Sequence, residues 1–404
     1  MDEYLTIHPV YLLWRDAFDV TQMIFGNLIF HHDMFLDPHE VYTEHNDYEY
    51  GEWMSLKKVS RIQAWLPIGA TIIPIIVAPD KTPITRQTRN LEMHPLFPTI
   101  GNIHSDLCMK ATAHVWSCII DYMAVLQTRL WHHCMVIVCA YIADPAGHQH
   151  YCFTPLMGYV ANLPEPLMIT CIAQSTSPVT LTIKTQFSDA TPHPPHSGLH
   201  MLQHIHHLAQ GINPWKVQEF LEAAKVIGLS GVHLPFWRDW CFADPIIFLT
   251  PKILHTLHNV SHVKQMTSWK HQDLQWTIIA SIARPVQPDF VHVVRATIDF
   301  IYKAQAPMFT NSSTTSLVDS LAEFHMHKQA IIDAGLHHGT SGPIDHFKIP
   351  KLKLFHNFTP AISDVSKHLL ITHCKNPFEH TSHQQNTFTQ QIFHLFTLLS
   401  DKIQ

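Results

Sequence analysis

"ATIIPIIVAPDKT", residues 70–82, is an apolar run that stops at an acid, Asp80, followed by Lys81 and Thr82. Strands buried on both faces read as continuous Ile/Val runs of this kind, because neither face alternates with water. The stretch therefore predicts a strand over 70–79 inside a covered sheet. Pro74 within it predicts an edge or a bulge, since proline lacks the ladder N–H. A carboxylate just past such a strand sits at a sheet end, where ligands commonly bind. Asp80 thus has two readings: a turn residue that ends the strand, or a metal ligand.

Working outward, "FPTIGNI" (97–103) predicts a second short strand that pairs with 70–79 in one sheet. "AHVWSCIIDYMAV" (113–125) is a third apolar segment, equally compatible with helix and strand. "FTPLMGYV" and "PLMITCIAQ" (153–174) form an apolar pair around "ANLPEP". The character changes at "SDATPHPPHSG" (188–198), whose Pro, His and Ser predict a loop or linker. Helical signals follow. "NPWKVQEFLEAAKVIG" offers Asn213 as N-cap, Pro214 at the first helical position and Gly228 as the stop. "SLVDSLAEFHMHKQAIIDAG" puts Leu317, Leu321, Phe324 and Ile331 on one side and ends at Gly335. Residues 288–306 also read as helix. The expected organisation is a sheet-bearing core over 1–187, a linker over 188–199, a mostly helical region over 200–340, and a segment over 341–404 that returns to the core.

Hydrophobic content of 46% and ten tryptophans in 404 residues indicate a folded chain. The net charge is −6 with no long single-sign run, which leaves room only for a local basic face. Met1 is followed at once by Asp2 and Glu3, without a basic leader, and no apolar run reaches the roughly 18 residues of a membrane span. Eight scattered cysteines without a CxxC pair fit a reducing compartment. Nucleus or cytoplasm is the expected location, with neither secretion nor a transmembrane segment.

Thirty-five histidines stand beside eight arginines and 18 lysines. Metal binding, a pH-responsive surface and decay of arginine codons to histidine, glutamine, cysteine or tryptophan codons each account for such a bias. Ligands would cluster, whereas these histidines run through every segment, which favours decay. Walker, GxGxxG, HExxH and GxSxG patterns are absent from the sequence. "LHTLH" places His255 and His258 three apart on an expected helix, where both could face one metal. "HLPFWRDW" (233–240) reads either as a core anchor with an internal Arg238–Asp239 pair or as a stacking platform for bases.

Eight blocks then occur in order: "HPVYLLWRDAFDV", "LPIGATIIPIIVAPDKT", "PTIGNI", "ADPAGHQHYCFTPLMGYVANLPEP", "SPVT", "LSGVHLPFWRDWCFADPIIFLTPKILHTLH", "AGLHHGTSGPIDHFKIPKLKL" and "DVSKHLLITHCKNPF". Together they resemble the Plavaka-type transposon proteins of mushroom-forming fungi, a branch related to CACTA transposases. The resemblance runs from about residue 4 to 396.

That resemblance implies an α/β fold with an RNase H-like mixed-sheet core, a mostly helical inserted or C-terminal region, and DDE-type transposition on transposon-end DNA. Such chemistry uses acids to hold two divalent metals, Mg²⁺ or Mn²⁺. Asp80 is then the candidate first acid. The chain departs from the family at two other acidic positions, where Asn162 and Lys367 stand. His150, His193 and Gln272 likewise occupy positions where the family has arginine. The resemblance thus implies a degenerate, DNA-binding protein without strand-transfer activity. The alternatives are an active metal-dependent nuclease that uses Asp80 with Asp144, Glu165 or Asp364, a non-enzymatic DNA-binding remnant, and a His-rich metal binder.

Overall fold

The computed structural model describes residues 13–14, 16–79, 82–83, 92–93, 96–108, 120–121, 140–161, 164–240, 242–251, 277–282, 287–304, 306, 308–339 and 342–358. The chain folds as a mixed α/β structure. In chain order its main strands are β1 (Leu13–Trp14), β2 (Ala70–Ile72), β3 (Ile75–Pro79), β4 (Leu96–Ile100), β5 (Ile120–Asp121), β6 (Ala140–Ala143), β7 (Gln149–Phe153), β8 (Leu156–Ala161) and β9 (Leu249–Pro251).

The run that opens the sequence is two strands rather than one, and Pro74 stands between them. Ile73 donates its N–H to the Phe153 carbonyl at 2.8 Å, and Ile75 donates to Pro155 at 2.9 Å. Pro74 between them has no N–H to give. Alternate residues bond to a given neighbour, so the bonds from Ile73 and Ile75 pass over Pro74, and the partner strands also part at Thr154 and Pro155. An irregularity does accompany Pro74: directly after it the register of β8 shifts between Leu156 and Gly158, opposite Ile75 and Ile76. Pro74 marks a change of sheet. Before it, β2 pairs in parallel with β7, which pairs antiparallel with β6. After it, β3 joins a larger sheet of order β1-β5-β4-β3-β8-β9. There β3 is antiparallel to β4 and parallel to β8, and β8 is parallel to β9. The expected pairing of the opening run with the second strand holds for residues 75–79, whereas 70–72 lie in the other sheet.

Ile72, Ile73, Ile75, Ile76, Val77 and Ala78 are all buried, as a sheet covered on both faces requires. Part of that cover is Trp53. Its ring packs on two glycines of neighbouring segments. A Cβ added at Gly158 of β8 would fall 2.7 Å from Trp53 Cη2, and one at Gly101 would fall 2.8 Å from Trp53 Cβ. Both glycines are needed for close approach rather than for a turn. Trp53→Ala is expected to cost about 3–5 kcal/mol of stability, and Gly158→Val about 3 kcal/mol through overpacking. Urea unfolding of the two variants measures both, and a midpoint unchanged for Gly158→Val would show that Trp53 can move aside.

The segment between β8 and β9 mixes helices with irregular stretches, with α1 (Gly198–Gly211) and α2 (Val217–Val226) as its longest elements. The latter starts later than its sequence signals suggest. Asn213 does accept an N–H, from Trp215 at 2.9 Å, but it closes a turn, and Lys216 takes the N-cap position. Gly228 does end the helix, with φ +78°. Beyond β9, α3 (Pro288–Ala304) packs along α4 (Asn311–His327). Thr310 caps α4 by accepting from Ser313. The helix expected to run on to Gly335 breaks at Lys328, and a short second helix spans Gln329–Asp333.

The stretch 188–198 is pinned rather than free. Lys328 Nζ donates to the Ser188 carbonyl. Lys353, fully buried on α5 (Pro350–His356), donates to the Thr191 carbonyl at 2.5 Å. Two rings lie beneath, with His325 Nε2 and His356 Nε2 3.1 Å apart. Among the described residues, no helix is long and apolar enough to cross a membrane.

Candidate functional site

Three parallel strands of the larger sheet, β3, β8 and β9, point their C-terminal ends the same way. Val77 is paired with Tyr159, and Ala161 with Pro251, so the strand ends at Pro79, Ala161 and Pro251 lie side by side. Val77, Ala78 and Tyr159 are buried there, which fixes the strand ends against rigid packing. Across this end the antiparallel strand β4 begins at Leu96, opposite Pro79. A short hairpin, Thr82–Pro83 with Glu92–Met93, completes the rim. Asp80 is covalently the next residue after Pro79, and Asn162 the next after Ala161. Both lie outside the described residues, as do Lys367, Asp364, His255 and His258.

Of the acids named from sequence that are described, only Glu165 belongs near this end. It lies in the first turn of the short helix Pro164–Ile169, directly after β8. Asp144 does not. It sits in the turn between β6 and β7, and β7 starts level with the beginning of β2, where Tyr151 pairs with Ala70. From Ala70 to Pro79 the chain advances nine residues, on the order of 30 Å at strand rise. Asp144 therefore lies by the start of β2, towards the opposite end of this run from Pro79.

Asp144 has another occupation. It is buried and accepts from the His148 N–H at 2.8 Å, while the rings of His148 and His150 each approach its Oδ2 at 3.2 Å. Burial opposes ionisation, but these hydrogen bonds outweigh it and hold the carboxyl down at about 2. His150 Nδ1 in turn meets Thr71 Oγ1 at 2.9 Å, which ties the hairpin to β2. This is a structural clamp across the smaller sheet. Sequence reading missed it because Thr71 and His150 meet only through β2–β7 pairing. Among the described residues, no group of three or more His, Cys, Asp and Glu is arranged to hold a metal ion.

The aromatic block 233–240 is chiefly a core anchor. Phe236, Trp237 and Trp240 are buried. Trp237 donates its indole N–H to Ile169, and Trp240 donates to Thr154, both at 2.9 Å. The Arg238–Asp239 pair, at 2.7 Å, is on the surface instead of internal.

The family model of Plavaka transposases matches residues 2–269, well over half of the 404. The chain belongs to the Plavaka transposase family. No curated protein sequence matches it. The Plavaka match takes in all strands of both sheets, from β1 to β9, together with the segment between β8 and β9. Helices α3, α4 and α5 lie beyond it. The aligned strand ends, rather than the C-terminal helices, are therefore the part of the structure that the Plavaka family defines.

Proposed function

We propose that this Plavaka protein is a DDE-type transposase-like, DNA-binding protein of the nucleus, built on an RNase H-like core and without strand-transfer activity. The order of the larger sheet carries this reading. An RNase H-like core has three antiparallel strands, with a fourth and fifth added in parallel beyond the first. The strands β5, β4, β3, β8 and β9 lie in that order and with those directions. The stretch 164–248 is then an insertion between the fourth and fifth strands, and β1 is an added edge.

The register supports the rest. Residues that follow adjacent parallel strand ends are natural partners for one ion, and here they are Asp80 and Asn162. A pair of Mg²⁺ or Mn²⁺ ions needs several hard, charged oxygen donors. Asp80 supplies one carboxylate, Asn162 only a neutral carbonyl, and Lys367, at another family acid position, a positive charge. That donor set does not fit a two-metal site.

DNA binding should survive the loss of chemistry, because phosphate contacts need cations rather than acids. Filter binding of transposon-end duplex to the purified chain is expected to weaken roughly hundredfold or more between about 50 and 200 mM salt. Affinity independent of salt, or absent at low salt, would count against the reading. Metal binding that tracks histidine deprotonation in its place would point to the His-rich alternative.

A further inference from the structure

A mostly apolar cleft of about 530 Å³ opens between the helix Lys57–Gln63 with its following turn, the start of α1, and the segment 237–247. Its lining differs from the residues at the strand ends described above. Trp65 precedes β2 and Ile247 precedes β9, so both sit where strands begin, while Pro79, Ala161 and Pro251 sit where they finish.

Three features set this cleft apart from ordinary surface. First, its walls are large exposed apolar side chains. Trp65 is 81% exposed, and Leu199, Phe242 and Ile247 are also open to solvent. Second, Phe242 has φ +60°, a left-handed conformation that bulky L-residues rarely adopt, and it remains 37% exposed. A strained backbone at a part-exposed aromatic residue is more economically explained by a ligand than by packing. Third, cations rim the cleft, although Arg238 is already paired with Asp239 at 2.7 Å. Of the three described arginines, Arg61, Arg238 and Arg295, the first two line the cleft, and Lys58 joins them. The acid in the lining is Asp244, whose two oxygens already accept from Ile246 and Gly198. Arg61 is exposed and has no hydrogen bond or ion pair among the described residues.

Flat apolar walls with guanidinium groups beside them suit a ligand that has a π-face and a nearby negative charge. A peptide or a second copy of the chain would need a carboxylate placed beside its apolar side chains to meet Arg61, whereas a nucleotide strand carries a phosphate next to every base. Unpaired nucleotides use both walls and cation, by stacking a base and presenting flanking phosphates. We propose that this cleft holds an unstacked base of single-stranded DNA against Trp65, with Arg61 facing the adjacent phosphate. The proposal rests on the DNA-handling function above, and adds to it a second contact made by residues other than those at the strand ends.

The test uses the full chain and a labelled oligo-dT of about ten nucleotides, read by fluorescence anisotropy beside a duplex of transposon-end sequence. Trp65→Ala is expected to weaken oligo-dT binding roughly tenfold. Trp65→Phe, which keeps a ring, should restore most of it, and duplex affinity should stay within about twofold. Arg61→Gln is expected to lower the salt slope by about one. Trp65 is exposed, so circular dichroism should show unaltered folding in each variant. Oligo-dT affinity unchanged in both Trp65→Ala and Arg61→Gln, with duplex binding retained, would overturn the cleft and leave the broader function standing. Failure of the unaltered chain to bind either DNA would sink both. Sedimentation that shows a dimer dissolved by Trp65→Ala, without a change in DNA affinity per chain, would assign the cleft to self-association and overturn the proposal.

Discussion

Acidification from pH 7 to about 4.5 is expected to remove on the order of 3 kcal/mol of stability through one pair of rings, the buried His325 and the half-buried His356. Their Nε2 atoms are 3.1 Å apart and the rings are stacked at 4.9 Å. Burial, with Lys328, His356 and Lys353 nearby, pushes His325 down to about 3. Burial and Lys353, against a hydrogen bond at the Asp189 backbone, with Lys328 and His193 adding to the depression, bring His356 to about 4. The carboxylate facing the group is Asp189, and His193 already binds it at 3.0 Å. Both rings are therefore neutral in the folded chain at pH 5, whereas the unfolded chain protonates them below about 6.5. The unfolded state binds more protons across that window, so stability falls as pH falls from about 6.5 towards 4. Each ring contributes about 1.4 kcal/mol per pH unit at most, and solvent screening at the part-exposed His356 trims the sum. The double variant His325→Gln, His356→Gln should lose most of this slope, whatever its stability at pH 7. Urea unfolding across pH 4.5–7 measures it. A slope as steep in the variant as in the parent chain would place the acid lability among the other histidines.

That cluster also shows where sequence reading stops. "PKLKLFH" carries two lysines, and Lys353 is fully buried with the carbonyls of Asp189 and Thr191 within its reach. Nothing local to residue 353 announces partners more than a hundred positions earlier. The same limit explains the strands. Pro74 declared its missing N–H, but the parting of the partner strands at Thr154 and Pro155 had meaning only once the pairing was known. Buried continuous runs were legible because burial on both faces leaves a local pattern, and the β3–β4 pairing followed from two such runs in succession. Helix ends were half legible. Gly228 and Gly335 take the positive φ that their positions suggested, while Asn213 spends its side chain on a turn before the helix begins. The cleft around Trp65 was not legible at all, since its walls come from three separate segments. Its nearest trace was the alternative reading of "HLPFWRDW" as a platform, and two of those tryptophans do line it.

Transposon-end DNA incubated with the purified chain and Mg²⁺ or Mn²⁺ is expected to remain uncut, and no single substitution should change that. The strand ends at Pro79 and Ala161 are neighbours, so the residues that follow them set the charge of any ion site there. Loss of one carboxylate at Asn162 already leaves the ions short of neutralising oxygens. An ammonium at Lys367 would oppose them as well. Two unit charges 4 Å apart interact by roughly 4 kcal/mol at an effective dielectric near 20, enough to weaken ion binding by about three orders of magnitude. Asn162→Asp alone would leave that repulsion in place, and Lys367→Glu alone would leave the missing ligand. Only the double variant supplies both terms, so any regained nicking should appear there first and should vanish on further replacement of Asp80 by Ala. Because Asp144 is held towards the other end of the strands, Asp144→Asn should leave any regained nicking in place, provided that the clamp it makes with His148 and His150 still folds. Metal-dependent nicking by the unaltered chain, abolished by Asp80→Ala, would show that the acids completing the site are others. Glu165, in the first helical turn after β8, would be the first to replace.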